Sequence, residues 1–319
     1  MKKIEHKFED IVGFDHVDLE EKETLNRRVL AYSVDALKSA LPIDKIVVEH
    51  TQFHGGLLAL DRIFQLAREV NMPHGLRLIG PTGVGKSSLL QYFSESLPRS
   101  TLFAPGLGCI SIRIGSRPKT GQIISALLRK YRYPFIPKSE SNLCNYKEIL
   151  FELVRLKGTR LIFIDEAHSL LCQARIGKES VEPEATGFLR ELMDETNVAL
   201  VLGGKEELDK LANADSHLAD RISGRLVMSC FDASAEWVGF LCAFSDACTW
   251  FDIKLIKNPK QAKLLHTATG GSPRNLKRLL TEVVLVAAQV KCKSIQVEHF
   301  SAAYIAVNGK QSLNTNPYA

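Results

Sequence analysis

No apolar run in the chain approaches the 18 or more residues that a membrane-spanning helix requires; one of the longest is Val283-Val284-Leu285-Val286-Ala287-Ala288. A membrane-spanning helix is therefore excluded. The opening residues, Met1-Lys2-Lys3-Ile4-Glu5-His6, are charged and lack the apolar core of a secretory signal, so a cytoplasmic location is expected. Cysteine is sparse and unpatterned. Seven residues are scattered from Cys109 to Cys292 without a C-x-x-C pair, which excludes a disulfide framework and a zinc ribbon and leaves reduced core residues. There is no internal repeat and no low-complexity tract. Neither sign of charge dominates: 41 Lys+Arg against 36 Asp+Glu give +5, too mild an excess to name a partner. What remains is a 319-residue chain, 45% apolar and 24% charged, with ordinary globular composition and length enough for two domains.

The pattern divides the chain. Residues 1–45 are charged and weakly patterned, with an acidic stretch from Asp15 to Glu23 and a helix-like run from Leu25 to Leu41. They are read as an N-terminal appendage that binds a partner. From 46 to 232, β-like runs at Leu76–Ile79, Cys109–Ile114, Leu161–Ile164 and Val198–Leu202 alternate with helix-like segments. Strands alternating with helices predict an α/β domain whose parallel sheet is sandwiched between helices. From 233 to 308 only helices are expected, forming a small all-helical lid domain. Residues 309–319 are polar and contain Asn316-Pro317, so a flexible tail is predicted.

The strongest chemical signal is Gly80-Pro81-Thr82-Gly83-Val84-Gly85-Lys86-Ser87, which fits G-x-x-x-x-G-K-[ST] between an apolar strand and an amphipathic helix. The glycines let backbone N–H groups and the helix N-terminus at Ser88 wrap a phosphate, Lys86 reaches the outer phosphates, and Ser87 binds Mg²⁺. About 80 residues on, Leu161-Ile162-Phe163-Ile164-Asp165-Glu166 is a buried strand ending in two carboxylates. Asp165 is expected to hold Mg²⁺ through water. Glu166 is expected to polarise the water that attacks the γ-phosphate. His168 completes Asp-Glu-Ala-His and is read as a structural or coupling residue. ATP and Mg²⁺ are thus the expected cofactors of an ATPase.

Arg221 and Arg225 follow the fourth strand and its helix. They either pair with neighbouring acids or supply an arginine finger to the adjacent subunit's γ-phosphate. Gly270-Gly271-Ser272-Pro273-Arg274 opens a helix in the all-helical part, with Arg274 in its first turn as a second phosphate sensor.

This order of motifs resembles the AAA+ ATPases of the origin-recognition and helicase-loader branch. The spacing of the phosphate loop, Asp165-Glu166-Ala167-His168, Gly203-Gly204, Arg221 to Arg225, Thr269-Gly270-Gly271-Ser272-Pro273-Arg274 and the later Leu279-Leu280 and Ala287-Ala288 is similar to the TnsC/TniB transposition regulators over roughly residues 45–307. The resemblance implies an ATP-bound ring or helical homo-oligomer on double-stranded DNA. Its implied partners are transposase subunits and a target-selection protein of the TniQ/TnsD kind. A helicase loader, or a signalling ATPase without nucleic acid, are the alternatives. One departure stands out: the family's fourth strand usually ends in Gly-Thr, whereas this chain reads Gly203-Gly204-Lys205. Either Lys205 substitutes for the sensing side chain or sensing is weakened.

The +5 conceals an uneven distribution. Between residues 99 and 139 stand Arg99, Arg113, Arg117, Lys119, Arg129, Lys130, Arg132 and Lys138 with no acid. Residues 254–293 are also basic, and residues 165–220 are acidic. Clustered cations release counterions on meeting a polyanion. Because related ATPases project the segment after the second strand into a central DNA channel, Arg117, Lys119 and Thr120 are expected to contact the DNA backbone.

Overall fold

The structure, a computed structural model, describes residues 32–67, 69–70, 74–97, 107–116, 118–134, 143–173, 184–309 and 316–319. Two compact units emerge: residues 49–229, and residues from 230 onward together with the described residues up to Val48.

The first unit is built on a five-stranded sheet ordered β2-β3-β4-β1-β5, from β1 (Leu76–Ile79), β2 (Cys109–Arg113), β3 (Leu161–Asp165), β4 (Ala199–Gly204) and β5 (Gly224–Val227). Every pairing is parallel. Parallel neighbours need long crossovers, supplied here by helices Lys86–Ser96, Thr120–Lys130, Leu143–Leu156 and Glu184–Thr196. Strands β3 and β4 lie inside the sheet, and all residues except Asp165 are buried, which explains their unbroken apolar spelling. At the edges the spelling changes: β2 alternates along its length and β5 is half-buried. The core gathers Ile110, Ile112, Ile162, Ile164, Leu200 and Leu202 from the strands with Ile123, Leu127, Leu150 and Leu189 from the helices. Each such side chain contributes about 1.5–3 kcal/mol by leaving water.

Sheet order positions the chemistry. β1 stands between β4 and β5, so the strand order reverses at its carboxyl end, where α/β proteins characteristically bind ligands. The register sets Ile79 beside Gly204 and Arg113 beside Asp165. Strand β5 was not expected from the sequence. It is only four residues long, and its edge position gives it no apolar run.

The second unit packs helices Ala235–Ala247, Pro259–Thr269, Pro273–Gln289 and Val297–Asn308 around Trp237, Phe244, Leu276, Leu280, Val283 and Phe300. It is larger than residues 233–308. Helix Val34–Ala40 buries Val34, Ala36 and Ala40, Ile43 is fully buried, and Tyr32 donates to the Glu282 carboxylate. Lys277 Nζ donates to the Asp44 carbonyl at 2.6 Å, and Trp250 Nε1 to the Ser39 carbonyl at 2.9 Å. The described residues 32–45 are thus an integral part of the helical unit, whereas the sequence suggested an appendage; Leu25 to Ala31 of the anticipated helix lie outside the described residues. The tail is corrected likewise at its end. Asn316 Nδ2 donates to Ser301 Oγ at 2.9 Å, and the Tyr318 ring stacks on Phe300 at 5.1 Å, so residues 316–319 are anchored to the helix that precedes them.

Candidate active site

The phosphate loop takes its shape from hydrogen bonds on both flanks of β1. Gly80 N donates to the Gly204 carbonyl at 3.0 Å, and Met228 N donates to the Ile79 carbonyl at 2.8 Å. A Cβ on Gly80 would stand 2.1 Å from the Met228 carbonyl oxygen, so no other residue fits there. Gly83 and Gly85 adopt φ of 92° and 103°, in the region that favours glycine. Buried Val84 anchors the loop from beneath. Helix Lys86–Ser96 then starts with Gly85 as its cap, which has no side chain to cap the first turn, and a helix N-terminus of this kind favours an anion. Lys86 Nζ folds back over this cradle, donating to the Gly80 carbonyl at 2.6 Å and the Pro81 carbonyl at 2.9 Å.

The acidic half arrives on β3. Ser87 Oγ donates to Asp165 Oδ2 at 3.3 Å, and Asp165 Oδ1 accepts from Glu166 N at 2.9 Å. This brings together the hydroxyl and carboxylate named for Mg²⁺. Among the described residues no cluster of three or more His, Cys, Asp or Glu could hold a metal by itself. A single carboxylate with a neighbouring hydroxyl fits Mg²⁺ of the kind that keeps its waters and shares a substrate's phosphates. The residues of the loop and β3 therefore fit both the nucleotide and the ion.

Glu166 has φ of 59°, which turns its side chain off the line of the strand. Its carboxylate is flanked on both sides. Arg113 Nη2, at the end of β2, lies 3.1 Å from Oε1, and His168 Nδ1 lies 3.5 Å from Oε2. Sequence reading missed the Arg113 contact, because only the β2–β3 register brings an arginine more than fifty residues away to this acid. Lys205 lines a cleft of about 660 Å³ with Pro81, Thr82, Glu206, Asp209 and Lys210, beside the phosphate loop.

The two arginines are engaged within their own unit. Arg221 grips Asp194 through Nε at 2.8 Å and Nη2 at 2.9 Å; Arg225 grips Asp209 through Nε and Nη2, both at 2.9 Å. The Arg225 hydrogen bonds hold the Asp209 carboxyl below the usual carboxylate range. Arg221 is 23% exposed, and Arg225, on edge strand β5, is 50% exposed. In the helical unit, exposed Arg274 follows a tight turn in which Gly270 and Gly271 have φ of 61° and 66°. A Cβ on Gly271 would lie 2.0 Å from the Phe231 carbonyl oxygen, so this turn too demands glycine.

Of the anticipated DNA contacts, Lys119 is exposed just before helix Thr120–Lys130, whose first turn is closed by Gln122 accepting from Lys119 N at 3.1 Å. Arg117 lies outside the described residues, as do Arg99 and Lys138. Thr120, in contrast, is buried. It is 2% exposed, and a hydroxyl buried at the start of a helix cannot reach a phosphate backbone.

Against protein-family profiles, the bacterial TniB protein family matches residues 43–228. No curated protein sequence matches the chain. Similar solved structures include the ORC2 protein of Aeropyrum pernix in ADPNP–ADP complexes, at 15% identity over 78% of this chain and 66% of that one, TM-score 0.59. The ORC1 protein of Aeropyrum pernix in complex with DNA is 18% identical over 82% of this chain and 66% of that one, TM-score 0.56. Cdc6p of Pyrobaculum aerophilum is 18% identical over 81% and 68%, TM-score 0.56. The chain thus spans about two thirds of the length of these proteins, and the likeness is one of fold.

Proposed function

The chain belongs to the TniB family, and from that premise we propose that it is an ATP-switched AAA+ ATPase that regulates DNA transposition. In this reading it oligomerises with ATP on double-stranded target DNA and links a target-selection protein of the TniQ/TnsD kind to the transposase. The observation that carries the catalytic part is the meeting of Lys86, Ser87, Asp165 and Glu166 at the carboxyl ends of β1 and β3. DNA binding is supported by the basic segment after β2 and by family membership.

The chemistry follows from the chain's own groups. The loop N–H groups and the first turn of helix Lys86–Ser96 bind the phosphates, and Lys86 exchanges the Gly80 and Pro81 carbonyls for the outer phosphate oxygens. Ser87 and Asp165 would hold Mg²⁺, which when bound neutralises charge on the phosphates. Glu166 orients the attacking water and takes up its proton. Charge developing on the transferred group calls for one more cation, and Arg225 is the better candidate. It is the more exposed of the two arginines, and an exposed ion pair contributes little, so giving up Asp209 for a neighbouring subunit costs little.

That assignment has a direct test. Arg225→Ala and Lys86→Ala subunits, each inactive alone, should regain hydrolysis when mixed, because a head-to-tail contact joins an intact loop to an intact arginine at about a quarter of randomly formed interfaces. Co-assembled mixtures with no recovered activity would exclude a trans-acting Arg225.

The DNA arm is tested by salt titration on two unrelated duplexes of equal length. Binding should require ATP, fall steeply with salt and differ little between the sequences. Arg117→Ala with Lys119→Ala should weaken both duplexes alike and flatten the salt slope, by about two for each subunit engaged if both residues contact phosphates. Identical affinities and slopes for variant and wild type would remove this segment from the DNA path and turn attention to the basic residues between 254 and 293.

A further inference from the structure

Strand β4 ends without a polar side chain at Gly203 and Gly204, and the structure gives a steric reason for both. A Cβ at 203 would stand 2.5 Å and 2.7 Å from the Cζ and Cε2 atoms of the Phe163 ring. A Cβ at 204 would meet Leu208 Cδ1 at 2.8 Å and, at 3.2 Å each, the backbone N and the Nδ1 of His168. The space into which a side chain on Gly204 would project is therefore taken up by Leu208 and, beside it, by the backbone and imidazole of His168. That ring is largely buried, at 18% exposure, and its Nδ1 makes no hydrogen bond among the described residues, with Glu166 Oε2 3.5 Å away.

We propose that His168 is the positioning residue for hydrolysis: with a proton on Nδ1 it holds Glu166 Oε2, supplying from the turn after β3 the polar contact that β4 lacks at Gly204. The inference rests on Glu166 being the water-activating group. A distance of 3.5 Å is long for a hydrogen bond, and catalytic contacts of this kind shorten when substrate is bound. The two oxygens of Glu166 thus have separate keepers. Arg113 is 72% exposed and water competes for it, whereas the His168 ring is largely buried. His168 is consequently the partner that fixes the carboxylate's direction. Glycine at 204 suits this arrangement, because a Cβ there would press on Leu208 and stand 3.2 Å from the ring's Nδ1, tighter than such contacts ordinarily are.

The experiment is single-turnover ATP hydrolysis by the full chain on DNA, for wild type, His168→Leu, His168→Asn, Glu166→Gln and the His168→Leu/Glu166→Gln double variant. Removing a group that orients a reactive one typically costs about tenfold to a hundredfold. His168→Leu should slow hydrolysis by that factor while keeping the ATP-induced rise in unfolding temperature. His168→Asn, whose amide nitrogen stands where Nδ1 does and still donates, should stay within a few-fold of wild type. In the Glu166→Gln background His168→Leu should add nothing, because two residues acting through one contact are not additive. Wild-type hydrolysis by His168→Leu would overturn the inference. So would equal slowing by Leu and Asn, or the same slowing by Leu in both backgrounds, since a ring that only packs behaves in those ways. Failure of the underlying reading is separate: Glu166→Gln would then itself hydrolyse ATP at the wild-type rate.

Discussion

Replacing Lys86 with alanine should erase the rise in unfolding temperature that saturating Mg-ATP gives the wild-type chain. A ligand that binds only the folded state stabilises it by RT ln(1 + [L]/Kd), about 2.7 kcal/mol at a hundred times Kd. Lys86 is the cation of the phosphate loop, and its Nζ already reaches across the cradle to the Gly80 and Pro81 carbonyls. Alanine leaves the loop's glycines, Val84 and the helix start in place, so the nucleotide-free protein should unfold near the wild-type temperature. The lost shift then reports binding alone. An undiminished ATP-induced shift in Lys86→Ala would overturn the assignment of the loop.

Glu166→Gln should give the opposite dissociation, with binding kept and chemistry lost. Glutamine preserves the shape of the side chain but cannot accept the water's proton, and a positioned general base contributes about 10²–10⁴-fold. Hydrolysis should slow by that factor while the ATP-induced stabilisation persists, since Glu166 is not part of the phosphate cradle. The Arg113 ion pair is also lost, at little cost, because Arg113 is mostly exposed. If hydrolysis dissolves the DNA-bound assembly, this variant should remain on DNA long after wild type has dissociated. Rapid-quench kinetics together with dissociation from labelled duplex measure both effects, and a wild-type single-turnover rate would remove Glu166 from the mechanism.

The elements that were legible in the sequence are those whose neighbours in the chain dictate them. The phosphate loop is spelled by glycines that alone tolerate its backbone angles, and β3 and β4 by apolar runs buried on both faces. Helices Leu143–Leu156 and Pro259–Thr269 match the periodicity of their residues. Strand β5 escaped notice because an edge strand of four residues carries no such pattern. Residues 32–45 looked like an appendage because the small faces of Ala36 and Ala40 acquire meaning only against a helical unit some two hundred residues away.

The sequence by itself determined the α/β architecture, the nucleotide loop and the two carboxylates of β3, because backbone conformation and local burial follow from residues close along the chain. Tertiary structure alone decided how those carboxylates are held. The β2–β3 register brings Arg113 to Glu166, the turn after β3 lays His168 into the gap beside Gly204, and the packing of Asp194 and Asp209 engages Arg221 and Arg225. It also turned Thr120 inward. Each of these contacts depends on which strand lies beside which and how side chains fill the space between them, and no spacing along the chain encodes that.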